Sequence, residues 1–186
     1  MSLTFATPPW LMAIDMQRVF GDPGSDWFTP DFGLASSRIQ QLRPAFSTRV
    51  ALTRFVAPAE PTGAWIPYYE EWPFALVPDT DPLYELMPEF PVGDAVVVTR
   101  PTFGKWSDET AKALGGATDL VLAGVSTDCC VLSTALAAAD AGVRVRVVAD
   151  ACAGLSELDH QRALDVMALY APLIEITTTD EVLAAL

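Results

Sequence analysis

Apolar residues concentrate in six short runs, at residues 10–15, 50–55, 95–100, 120–124, 143–149 and 173–177. Several of these runs lack apolar–polar alternation, the pattern of strands buried on both faces. Between most of them the spacing changes to a helical period, at residues 34–46, 107–114, 128–141 and 157–170, with a final turn or two at 181–186. Gly142 follows the third of these as a C-cap, and Ser156 precedes the fourth as an N-cap, with Pro172 beyond its end. Strands alternating with helices predict parallel βαβ units with helices on both faces of the sheet.

The alternation breaks once. Residues 56–94 hold Pro58, Pro61, Pro67, Pro73, Pro78, Pro82, Pro88 and Pro91 together with Trp65, Tyr68, Tyr69, Trp72 and Phe74. This insert reads as a long loop without regular structure, and such loops in compact domains are usually functional. Its aromatics are expected to wall a pocket or meet another subunit; the competing expectation is a rigid loop packed on itself. No repeat, low-complexity tract or linker divides the chain, so residues 1–186 are read as a single domain carrying this insert.

A hydrophobic content of 51% supports a real core and excludes disorder. The formal net charge of −13 and a pI near 4.2 argue against nucleic acid and against an anionic membrane surface. Three cysteines, an odd number, do not make a complete disulfide framework. The first residues show no basic segment followed by an apolar core, and no run is long enough to span a bilayer. The expectation is a reduced, cytoplasmic protein.

The densest chemistry lies in VLAGVSTDCCVLSTA, residues 121–135. A buried strand there turns through Ser-Thr-Asp into a helix, with Cys130 in the first helical turn. Free N–H groups and the positive end of a helix dipole favour a thiolate at that place. In open α/β sheets ligands bind beyond the carboxyl ends of the strands. Asp15, Arg54, Arg100 and the segment leading to Cys130 all stand at such ends. Asp15 is a candidate general base for Cys130, and Arg100 a candidate partner of Asp15 and of an oxyanion. Lys105, five residues on, is its rival, read in the first place as an exposed lysine at a helix start. Cys129 and Cys152 are read as packing residues. His160 is the only histidine and is read as structural, so neither a histidine-rich metal site nor a Cys–His dyad is expected.

In this order the segments AIDMQRVF (13–20), VVVTRPTFGKW (96–106), AGVSTDCCVLSTALAAADAG (123–142) and VVADACAG (147–154) resemble the isochorismatase-like cysteine hydrolase superfamily. The resemblance implies a three-layer α/β/α fold around a doubly wound, mostly parallel six-stranded sheet, an Asp–Lys–Cys triad, and assembly into homodimers or homotetramers. Asp15 and Cys130 match the acid and nucleophile positions, and Arg100 falls in the lysine slot. An arginine there supplies fixed positive charge without shuttling a proton. The resemblance also implies a cis peptide at Val125-Ser126, in the turn that aims N–H groups at an oxyanion. Metal-dependent relatives carry a histidine cluster after the second strand; here Phe55 stands near that position and no histidine follows, so no metal or other cofactor is expected.

The resulting expectation is a metal-independent cysteine hydrolase that cleaves a C–N amide or ureido bond of a small molecule. Asp15, Arg100 and Cys130 are its catalytic residues, and Val125, Ser126 and Cys130 form the oxyanion turn. Phe20, Trp27, Arg54, Trp65, Tyr68, Tyr69 and Trp72 shape the pocket, with Arg54 placed to hold a substrate carboxylate. Two alternatives stand beside it: a vinyl-ether hydrolase of the isochorismatase type relying on Asp15, and a catalytically silent relative that binds a ligand or partner.

Overall fold

A computed structural model describes residues 4–186. Its strands are β1 (Trp10–Ile14), β2 (Val50–Phe55), β3 (Val96–Arg100), β4 (Asp119–Val125), β5 (Arg144–Ala153) and β6 (Ile174–Thr177). All pair in parallel, in the order β3-β2-β1-β4-β5-β6. The chain winds outward from β1 in one direction and from β4 in the other. β1 and β4 are therefore the switch point, where the two halves of the sheet leave a crevice at their carboxyl ends.

The helices are α1 (Arg18–Gly21), α2 (Phe32–Leu42), α3 (Trp65–Glu71), α4 (Asp108–Ala113), α5 (Leu132–Asp140), α6 (Glu157–Ala168) and α7 (Thr179–Ala185). They cover both faces of the sheet, as the apolar strand pattern requires. Leu11 and Ala13 of β1 join Ile39, Leu42 and Val182 in one core. Met12 and Ile14 point the opposite way and join Val131, Ala138, Leu164 and Met167 in the other. This is the period-two alternation of a strand packed on both sides.

Three elements differ from the sequence reading. The insert contains a helix, α3, with Pro67 in its first turn, where a missing N–H costs nothing. The insert is also stapled to the body. Fully buried Gln17 donates to the carbonyls of Phe55 (3.0 Å) and Tyr84 (2.8 Å) and accepts from the Phe55 N–H at 2.7 Å. Second, β5 runs on to Ala153 because its register against β4 shifts between Leu122 and Gly124; Cys152 therefore lies within the strand rather than beyond it. Third, the segment after β4 opens as one π turn, Thr127–Val131, before α5 begins. π turns are rare and concentrate at functional sites.

Gly124 explains how β1 and β4 come so close. Its φ is +122°, and a Cβ there would lie 2.3 Å from the Ile14 carbonyl oxygen. Only glycine allows both the backbone angle and the approach.

Candidate active site

Asp15 follows β1 directly, with a left-handed φ of 49° that costs a non-glycine residue roughly 1–3 kcal/mol. Thr53 of β2 holds it there from two sides. Its hydroxyl accepts from the Asp15 N–H at 2.9 Å and donates to Asp15 Oδ1 at 2.6 Å. The other carboxylate oxygen, Oδ2, has no hydrogen-bond partner but lies 3.0 Å from Lys105 Nζ. Both side chains are 0% exposed, so each charge depends on the other for compensation.

Lys105 is thus the cation of this site, not an exposed lysine. Its Nζ also donates to the Thr102 carbonyl at 2.7 Å and lies 5.0 Å from the centroid of the Phe55 ring. Its backbone is locked by Thr134, which accepts the Lys105 N–H at 3.0 Å, and by Thr110, whose hydroxyl donates to the Lys105 carbonyl at 2.7 Å. Arg100, expected in this role, does not reach Asp15. Its guanidinium pairs with Glu109 at 2.8 Å and bonds the Ser107 hydroxyl. The reason is topological: β3 lies beyond β2 from β1, about 10 Å away at ordinary strand spacing. The chain must cross back through residues 101–105 before a cation can meet Asp15.

Cys130 sits in the π turn and is 3% exposed. Burial pushes its thiol well above the ordinary range, the Asp15 charge adds to this, and Lys105 opposes it. The resting group is therefore a neutral thiol, contrary to the thiolate expected from the helix start alone: one partial dipole charge is outweighed by desolvation and a full carboxylate charge. The Val125–Ser126 peptide preceding the turn is cis, and the Ser126 carbonyl accepts from Val131 N–H at 3.0 Å. His160 holds the turn from outside, its Nδ1 lying 2.8 Å from Thr127 Oγ1.

A cavity of about 380 Å³ opens over Cys130. Phe20, Trp27 and Tyr68 line it as expected, with Trp72; Phe55, Phe103 and Leu155 complete the apolar wall. Ser126, Cys129, Asp26 and Thr29 supply its polar atoms. Cys129 thus faces the site rather than merely packing, and burial beside Asp128 pushes its thiol up to about 11. Three expected pocket residues lie outside this wall. Trp65 packs edge-to-face behind it, its ring centroid 5.2 Å from both Tyr68 and Phe103. Tyr69 is buried in the core. Arg54 turns away to Asp79, at 2.6 Å, and to the Tyr84 carbonyl. Val125 is fully buried and lines the cavity through neither face, leaving Ser126 as the wall residue of that peptide.

Thr29 and Asp26 carry no chemical motif, so nothing in the sequence marked them. Lys105 could have been found by asking which cation can reach the β1–β4 crevice, rather than which stands at a strand end. Among the described residues, no three His, Cys, Asp or Glu side chains come together as a metal site; the donor set does not fit a metal.

The isochorismatase domain model matches residues 9–181. The curated protein "Isochorismatase domain-containing protein 2" of Xenopus laevis is 38% identical over 84 residues, 44% of this chain and 41% of that protein; the match spans less than half of its length. A cysteine hydrolase structure from Pseudomonas syringae pv. phaseolicola superposes with a TM-score of 0.85 at 22% identity, covering 96% of this chain and 93% of the other. A zinc complex of pyrazinamidase from Pyrococcus horikoshii gives 0.76 at 25% identity, covering 92% and 99%. With its all-parallel sheet, its switch-point site and a family match over nearly its whole length, this chain belongs to the isochorismatase family of hydrolases.

Proposed function

We propose that the chain is a metal-independent cysteine hydrolase that cleaves a C–N amide or ureido bond of a small molecule through an acyl-enzyme on Cys130. The observation that carries this reading is that Cys130, which lines the cavity, lies within the electrostatic reach of the fully buried Asp15–Lys105 ion pair. The pyrazinamidase among the similar structures is an amidase by name, which supports the amide class; its zinc has no counterpart donor set here.

The proposed reaction runs in two halves. Asp15 Oδ2, free of other hydrogen bonds, takes the Cys130 proton as sulfur attacks the carbonyl carbon. N–H groups of residues 126–130 hold the resulting oxyanion, and Lys105 offsets the negative charge of the site. Asp15 then gives the proton to the departing nitrogen, the C–N bond breaks, and a thioester remains. Water attacks the thioester, Asp15 accepting its proton; the acid leaves and the proton returns to sulfur. Lys105 acts electrostatically throughout, and Arg100 takes no part.

The vinyl-ether alternative fits the cavity less well. A substrate of the isochorismatase type is anionic, and no arginine or lysine lines the wall. The test is ammonia release from a panel of primary amides and ureides, with acid-quenched intact-mass detection of the adduct. Turnover with a transient acyl mass on Cys130, both abolished in Cys130→Ala, is expected. Amide turnover that survives Cys130→Ala overturns the covalent mechanism.

A further inference from the structure

The cavity over Cys130 has a chemical bias of its own. Among its lining residues the only charged side chain is Asp26, at the rim, and among the described residues Asp26 enters no ion pair. The nearby ammonium of Lys105 is fully buried and spent on Asp15, so it offers no net positive charge to a ligand. The wall is a cluster of aromatic faces around Trp27: Tyr68 at 6.0 Å, Trp72 at 6.2 Å and Phe20 stacked at 6.1 Å between ring centroids. Aromatic faces beside a carboxylate attract a cation and repel an anion.

One polar atom in that wall is unexplained by the fold. Thr29 is 0% exposed, lines the cavity, and its hydroxyl has no hydrogen-bond partner. A buried hydroxyl left unpaired costs stability, and the loop gains nothing from it: its own backbone is already closed by Thr29 N–H to the Phe20 carbonyl, at 2.9 Å.

We propose that Asp26 and Thr29 set the substrate: a small amide whose non-reacting body is aromatic or cationic, carries no anionic group, and hydrogen-bonds Thr29 Oγ1. This rests on the hydrolase reading only for which end of the ligand meets Cys130. The two residues are specificity determinants and take no part in bond cleavage.

The test measures binding to the Cys130→Ala chain by calorimetry, so that turnover is not needed. The probes are benzamide, meta-hydroxybenzamide, para-trimethylammoniobenzamide and para-carboxybenzamide. The trimethylammonio probe should bind at least about tenfold more tightly than the carboxylate probe, and adding Asp26→Asn should erase most of that difference. Adding Thr29→Val should weaken meta-hydroxybenzamide about five- to tenfold while leaving benzamide unchanged. Because that substitution replaces an unpaired hydroxyl by a methyl group, the melting temperature should hold or rise. Equal or tighter binding of the carboxylate probe, no binding by any probe, an unaltered meta-hydroxybenzamide affinity in Thr29→Val, or a lower melting temperature in that variant each overturns the proposal. The hydrolase reading fails separately: the expected binding pattern with no hydrolysis of any bound amide by the wild-type chain would sink catalysis and leave the specificity assignment standing.

Discussion

Lys105 and Asp15 form an ion pair with no solvent on either side. In such a pair the loss of one partner is far more costly than the loss of both, because the survivor is a bare buried charge. Lys105→Met should therefore destabilise the chain by about 3–5 kcal/mol. The Asp15→Asn/Lys105→Met double variant should lose clearly less than the sum of the two single losses. Denaturant unfolding of the four chains checks this; additive losses would mean that the two charges do not compensate each other. Arg100→Ala gives the contrast. Its partner Glu109 is 82% exposed, so the substitution should cost at most about 1 kcal/mol and leave turnover nearly unchanged. A large loss of turnover in Arg100→Ala would return that residue to the site. Asp15 and Cys130 were legible in the sequence because each abuts a buried apolar run. Lys105 was not, because nothing local to FGKW records that the chain doubles back over β2 to reach β1.

At the scale of elements, the crevice depends on how closely β1 and β4 approach. Gly124→Ala puts a methyl group 2.3 Å from the Ile14 carbonyl oxygen, at a φ of +122°, and should cost about 3 kcal/mol or more. Gly33, within α2, has open space around its missing Cβ. Gly33→Ala should be neutral or stabilise by up to about 1 kcal/mol. Thermal melts of the two variants check the pair; a Gly124→Ala chain as stable as the parent would show that the strands can part at no cost. The six strands were visible as apolar runs because strands buried on both faces need no other signal. Helix α3 was hidden because Pro67 and its clustered aromatics follow no helical period; its hold on the body comes from tertiary packing, with Tyr69 buried in the core and Trp65 and Tyr68 packed against it. The length of β5 was hidden too, since a register shift against β4 leaves no trace in the composition of β5.

Across the whole molecule, chemistry gathers at the carboxyl end of the sheet and structural charge at the other. There Asp119, fully buried, takes hydrogen bonds from Thr7 at 2.7 Å, Arg144 at 2.9 Å and Arg146 at 2.9 Å. Burial pushes its carboxyl up, but these donors and the Arg144 charge outweigh it and hold the group below the ordinary value of 3.8. A carboxyl whose folded pKa is depressed contributes stability above its unfolded pKa and loses it as pH falls through the folded one. Asp119→Asn should therefore destabilise the chain by about 2 kcal/mol at neutral pH, leaving buried Arg146 with Glu175, at 3.2 Å, as its remaining ion-pair partner. The gap from wild type should narrow as pH falls below about 4. Unfolding midpoints from neutral to acid pH check it; a gap independent of pH would assign the loss to packing. No helix among the described residues is long and apolar enough to cross a membrane.

The central claim is that the Cys130 thiol is coupled to the Asp15 carboxylate, which takes its proton during attack. The direct test is the pH dependence of iodoacetamide labelling at Cys130, site-mapped by mass spectrometry to separate it from Cys129, in wild type and in Asp15→Asn. Burial and the Asp15 charge raise the thiol, so wild-type labelling should rise only above the ordinary thiol pKa of about 8.5. Asp15→Asn removes a charge that raises the thiol and leaves Lys105, which lowers it, so its curve should move to lower pH while amide turnover is lost. A faster-labelling, inactive variant is the signature of a general base beside a neutral thiol. A curve that stays in place or moves to higher pH in Asp15→Asn would contradict the coupling and the mechanism built on it.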